Sequence, residues 1–273
     1  MTTLLIVLAA LTAVVAAARS TWSPCGLSML SSITPLAERG RGHRYRTTAC
    51  WFVLGAVVGG ASLGLVTALL ATGIGAAGLS STIRAALALA AALLAAASDA
   101  PRIGFRLPVH HRQVNERWLD QFRPWVYGAG FGWQIGAGVA TYVKTSAVYL
   151  LIALAALTGD PWVAVGVGVL FGLVRGLAVF LGRRITSPAL LADFHRRFME
   201  LDPEARRIVV VWVLGAALIA SFALSLWVAL AVAAVVGVGI ASRRILARRR
   251  ADARTPAAAY VSSPPKRTTA HSA

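Results

Sequence analysis

The chain has 273 residues, 58% of them hydrophobic, and a formal net charge of +17. A mean hydropathy of +0.70, with charges gathered between long apolar runs, excludes an ordinary soluble core. No β-barrel alternation and no heptad repeat is present, and two cysteines, Cys25 and Cys50, exclude a disulfide framework. Arginines that punctuate apolar segments follow the pattern of membrane-flanking loops and argue against nucleic acid as a partner.

In chain order, Thr2–Ala18 is the first apolar run. It ends in Ala16-Ala17-Ala18, which resembles a signal-peptide cleavage site. It lacks a basic stretch ahead of it, and cleavage would turn every later Arg-rich loop outward. It is therefore read as a first transmembrane helix. The segment Thr21-Trp22-Ser23-Pro24-Cys25-Gly26 follows, with Pro35 ten residues beyond Cys25. Pro24 and Pro35 bracket small and apolar residues, so a broken helix is expected here, a hinge or gate of the kind tolerated where backbone lines a cavity.

The next spans are Cys50–Thr72, Ile83–Ser98, Val126–Leu157, Pro161–Gly182 and Ile208–Ser242. The last holds 35 residues, which as one helix would be roughly 50 Å long against an apolar bilayer core of about 30 Å. Two helices joined near Ser221–Trp227 resolve the excess and put the basic tail back on the side of the other basic loops. Leu201-Asp202-Pro203-Glu204 reads as a helix start with Asp202 as N-cap. Ala189–Glu200 reads as an amphipathic helix on the membrane face, with Leu190, Leu191, Phe194 and Phe198 on one side. Trp51, Trp125, Tyr127, Trp162 and Trp212 fall at span ends, as interfacial aromatics do.

Three loops are basic. Glu38–Arg46 carries four Arg against one acid, Asp99–Trp125 five against three, and Arg183–Arg207 six against four. Lys and Arg near span ends set orientation, so these loops are expected in the cytoplasm, with the N-terminus outside the plasma membrane. The fold expected is all-α, a polytopic helix bundle of six or seven spans. The transmembrane domain is 1–242, with halves of about 1–98 and 126–242, and 243–273 is a basic, disordered cytoplasmic tail.

Two cations lie inside apolar runs, Lys144 in Val126–Leu157 and Arg175 in Pro161–Gly182, and neither run holds an Asp or Glu. A cation in hydrocarbon costs about 2.5–3.5 kcal/mol on insertion scales, so it faces a cavity or finds a partner. Snorkelling satisfies both cations if they lie near the two surfaces. The sharper reading is a basic cavity that binds a small anion, with Gln134, Thr141, Thr145 and Ser146 as polar neighbours. Gly128, Gly130, Gly132, Gly136 and Gly138, with Gly168, Gly172 and Gly176, read as sites of close helix packing, or as hinges, with Gly132 and Gly136 at the centre. His110-His111 with Glu116 reads as a solvated loop, and no metal site, cofactor site or enzyme constellation stands out.

The Ser-Pro-Cys at Ser23–Cys25, with Gly130-Phe131-Gly132-Trp133-Gln134-Ile135-Gly136 in the fourth span and Phe171–Gly176 in the fifth, resembles the CcdA/DsbD transmembrane family. That family sits within the wider group of LysE-type and TauE/SafE-type exporters. The resemblance implies two related halves, echoed in Trp22 three residues before Cys25 and Trp133 three before Gly136. It also implies a proline-flanked cysteine on the first helix that passes reducing equivalents across the membrane to a thioredoxin-like protein. Cys25 stands at that position, but Gly136 stands where the second cysteine belongs, and Cys50 reads as an apolar wall residue. Three functions follow: an anion permease or exporter built on Lys144 and Arg175, a thiol–disulfide relay built on Cys25, or a scaffold or assembly subunit that binds partners through its basic cytoplasmic loops. Between a compact residue at a kink and a reactive thiol, Cys25 is open.

Overall fold

The computed structural model describes residues 1–99, 121–139, 143, 145–234 and 236–237. Among these there is no strand, and the protein is all-α. The helices are α1 (Thr2–Ser20), α2 (Pro24–Ser32), α3 (Pro35–Gly40), α4 (Tyr45–Ala76), α5 (Ser81–Asp99), α6 (Pro124–Gly136), α7 (Ala147–Leu157), α8 (Pro161–Leu177), α9 (Pro188–Glu200) and α10 (Asp202–Phe222). A 3-10 turn, Ala178–Arg184, prolongs α8. Among the described residues, five helical stretches are long and apolar enough to cross a membrane: Thr2–Ser20, Tyr45–Ala76, Ser81–Asp99, Pro161–Arg184 and Pro188–Phe222.

Proline sets many of the starts. It occupies the first turn of α2, α3, α8 and α9, with Ser23, Thr34, Asp160 and Ser187 as caps whose side-chain oxygens accept from backbone N–H groups. Proline's fixed φ suits the first helical turn, where its missing N–H has no intrahelical partner to lose. Between them, Pro24 and Pro35 therefore divide 24–40 into two short helices.

The run Val126–Leu157 was expected as a single span, and the structure divides it. Helix α6 stops at Gly136, and α7 begins only at Ala147. Gly138 adopts φ +68 just past the end of α6, the left-handed conformation that closes helices and that glycine adopts without strain. The last run divides near its expected place: α10 ends at Phe222 and helix resumes at 226.

The long α4, 32 residues, is the axis of the bundle. It packs against α6 on one side and α8 on the other through small residues. A Cβ on Gly132 or Gly136 would fall on the carbonyl oxygens of Phe52 and Ala56, and one on Gly55 on that of Ala129. These pairs advance together, so α4 and α6 run parallel. Against α8 the order reverses: Gly60 meets Gly168 and Gly172, and Gly64 meets Val165. Such close approach is how transmembrane helices gain dispersion where lipid supplies no hydrophobic drive.

Two apolar cores result. The larger joins α1, α5, α7, α8 and α10 with the far half of α4. The smaller holds Cys25, Met29, Leu30, Ile33, Phe52, Tyr127, Phe131, Ile135, Val179 and Phe198. Cross-links show which loops share an end. Leu36 N–H donates to Ile185 O at 3.1 Å, and Tyr45 Oη donates to Val179 O at 3.0 Å, so the first and third basic loops lie together. Arg84 donates to Thr158 O at 2.9 Å, tying the start of α5 to the end of α7 at the opposite end.

Gly172→Val places methyl groups on the Ala56 carbonyl and the Gly60 backbone. Overpacking of this kind costs about 1–3 kcal/mol, so Tm measured in detergent is expected to fall. Gly166→Ala enters open space and leaves Tm unchanged.

Candidate functional site

The smaller core contains two buried charges, and they are satisfied very differently. Glu38 on α3 is fully buried. Tyr127 Oη lies 2.8 and 2.7 Å from its two carboxylate oxygens, Thr48 Oγ1 donates at 2.6 Å, and Arg41 Nη1 donates at 2.9 Å. Arg41 also lies 6.0 Å from the Tyr127 ring centroid. The network joins α3, α4 and α6 and answers every oxygen of the acid, which is what makes a buried ion tolerable.

Arg175 on α8 is 2% exposed. Its Nη1 donates to Ile135 O at 2.8 Å, and its guanidinium lies 5.8 Å from the Phe171 ring centroid. Ile135 is in the last turn of α6, where its carbonyl also accepts from Gly138 N–H at 3.2 Å, and the negative end of the helix dipole favours a cation there. The Cys25 thiol, in the first turn of α2, lies within electrostatic range of the guanidinium. Nε and Nη2 have no hydrogen-bond partner among the described residues. These two N–H groups share one edge of the guanidinium, the fork that matches two oxygens of one anion. None of the ion pairs among the described residues involves Arg175. The snorkelling expected for an arginine eight residues from Arg183 does not occur: the side chain turns inward to the break in α6.

Of the other residues singled out in sequence, Pro24 stands beside Cys25 at the start of α2 and Pro35 starts α3. Gly132 and Gly136 press on α4, and Gln134 is half-buried on α6. Thr145 turns elsewhere, its Oγ1 3.3 Å from Asp99 Oδ2. Lys144 and Thr141 lie outside the described residues, as do His110, His111 and the tail. Cys50 is exposed. No group of His, Cys, Asp or Glu among the described residues could hold a metal ion.

Three sequence readings are corrected. Tyr127 is not an interfacial aromatic but fully buried on Glu38. Trp212 bonds inward, Nε1 to Thr12 Oγ1 at 3.0 Å. Asp202 is the first residue of α10, with Leu201 in the cap position, and pairs with Arg19 at 2.6 Å. In each case a polar group beside an apolar run found a partner far off in sequence. Trp51 and Trp125 do stand exposed, with ring centroids 6.1 Å apart.

The apolar spans, the helical breaks and the buried cation define an integral, multi-pass membrane protein of the all-α class, with the lipid bilayer as its surroundings. The chain is similar to curated proteins named methylamine utilization protein MauF. It is 31% identical to that of Methylobacillus flagellatus over 196 residues, 67% of this chain and 66% of that protein. It is 35% identical to that of Paracoccus denitrificans over 165 residues (59% and 58%), and 29% identical to that of Paracoccus versutus over 165 residues (59% and 59%). The chain thus spans less than two thirds of the length of these relatives. No family model matches, and neither does any solved structure.

These relatives overturn the resemblance to the CcdA/DsbD family, and the geometry gives a reason. Where that family places a second cysteine, Gly136 touches the Ala56 backbone and leaves no room for a Cβ.

Removing the Tyr127 hydroxyl leaves a buried carboxylate short of a donor, at about 1–3 kcal/mol. Tyr127→Phe is therefore expected to lower Tm in detergent, while Trp162→Phe, at an 81% exposed position, does not.

Proposed function

We propose that this protein is a permease or exporter of a small anion, with Arg175 as the charge that holds the anion. It sits in the plasma membrane with its N-terminus outside and its tail in the cytoplasm. The observation that carries the reading is the unpartnered Nε/Nη2 edge of a buried arginine. A bare guanidinium edge in a low-dielectric site is costly, and a carboxylate or similar two-oxygen anion answers both N–H groups at once. The first turn of α2 beside it supports the same sign of ligand, because broken-helix N-termini in transporters face anionic groups. Lys144 is the second cation of the reading, with Gln134, Thr141 and Thr145 on the same broken span. Pro24, Pro35, Gly132 and Gly136 belong to the segments whose relative movement would open the path.

The relatives' name places them in methylamine utilization, and we take this as the setting of the present protein too. Methylammonium itself is a poor cargo for Arg175: two like charges 4 Å apart repel by about 4 kcal/mol at an effective dielectric of 20. The anion moved in that setting is a different compound. The relay reading on Cys25 has no supporting second thiol, since Cys50 is exposed and Cys25 buried.

The test is anion-driven current in proteoliposomes, with acetate, chloride and inorganic phosphate gradients applied in turn. Losing a charged hydrogen-bond pair of about 1.5–3 kcal/mol corresponds to about tenfold or more in binding. Arg175→Gln and Lys144→Ala are expected to cut the current by that factor, Arg175→Lys to restore part of it, and Cys25→Ser to keep it. A current equal in Arg175→Gln and wild type, or no protein-dependent current with any of the anions, overturns the proposal.

A further inference from the structure

We propose that the open groove at the end of α8, lined by Leu177, Phe180, Leu181, Arg183 and Arg184 and about 410 Å³ in volume, is a binding site for an anionic phospholipid. The argument starts from the change of helix type. From Ala178 the backbone tightens into a 3-10 turn, in which side chains three residues apart eclipse one another. Phe180 therefore stands in line with Arg183, and Leu181 with Arg184. Each row has an apolar residue on the side of the apolar span and a guanidinium at its end, about 6 Å further along at 2.0 Å per residue. Leu177 extends the first row toward the α8 helix. An α-helical continuation, at 3.6 residues per turn, would skew both rows.

The depth suits a headgroup. The segment closes the membrane-length stretch Pro161–Arg184. Leu177, Phe180 and Leu181 are exposed there. Tyr45 anchors this level by its bond to Val179 O. Charge complementarity selects the lipid. Arg183 and Arg184 are exposed, no carboxylate is among the described residues that line the groove, and neither arginine takes part in the ion pairs among the described residues. Two guanidiniums over two apolar rows fit one phosphate over two acyl chains, and basic pockets beside spans at a membrane surface bind such headgroups. A zwitterionic lipid would bring its own cation to the same pair. This site is separate from Arg175, which is buried and turned toward α6.

The test is native mass spectrometry of the full chain, released from detergent after titration with phosphatidylglycerol or with phosphatidylcholine of the same acyl chains. Phosphatidylglycerol is expected to bind at least about tenfold more tightly, a difference of about 1.4 kcal/mol, and more weakly as salt rises. The Arg183→Gln/Arg184→Gln variant is expected to lose that preference, and Leu181→Gln to weaken binding of both lipids. Equal binding of the two lipids overturns the proposal. So does a double variant that still prefers phosphatidylglycerol, or inorganic phosphate that displaces the lipid at equal concentration. If the double variant does not fold, the lipid preference and salt dependence of the wild-type chain decide.

Discussion

Contact between bare backbones along α4 is the constraint from which the rest of the structure follows. A helix that meets one neighbour in parallel and another in antiparallel, each at glycine or alanine, has no side-chain layer to absorb a shift. The residues that face α6 and α8 are small because the carbonyls opposite them occupy the space of a Cβ. With α4 fixed in this way, α6 is placed so that its C-terminal end faces α8, and the Ile135 carbonyl meets Arg175. The break in α6 and the position of the cation are thus one arrangement, supported by glycine at Gly136 and Gly138.

The smaller core shows two answers to buried charge. Glu38 collects donors from three elements and binds them together, so its ionisation is matched and its role is structural. Arg175 is matched on one side only. The contrast singles it out from the other described cations near the bundle: Arg19 has its aspartate and Arg84 its carbonyls. On the proposed anion reading, the contact missing from this partly answered charge is supplied by the ligand.

Much of this was legible in the sequence, because apolar run length and proline or glycine punctuation are local signals. The other spans, the amphipathic helix at Pro188–Glu200, the division of Pro24–Gly40 and the restart of helix at 226 all rest on them, whereas Val126–Leu157, read as one span, is two helices. The Arg175 site was half legible: a lone cation in an apolar run is conspicuous, but the free edge of its guanidinium depends on where α6 breaks. Glu38 was not legible at all. An acid among four arginines in a loop looks solvated, and only the arrival of Thr48 and Tyr127 from other helices makes it a buried centre. Tyr127, Trp212 and Asp202 were misread for the same reason, since position along a span is visible in sequence and the partner across it is not.

The four-residue stepping of Phe52 on Gly132 and Ala56 on Gly136 also determines how the molecule can move. Helices keyed together by carbonyls lying in glycine notches cannot creep past each other by fractions of an ångström. Their next register is a full four-residue step, about 6 Å along the axis at 1.5 Å per residue. Helices α4, α6 and α8 therefore travel as a single ratcheted block. Under the proposed transport reading, motion about Arg175 would fall to the short pieces around it: α2, α3 and α9, where Trp22 stacks on Phe198 in place of a glycine seam.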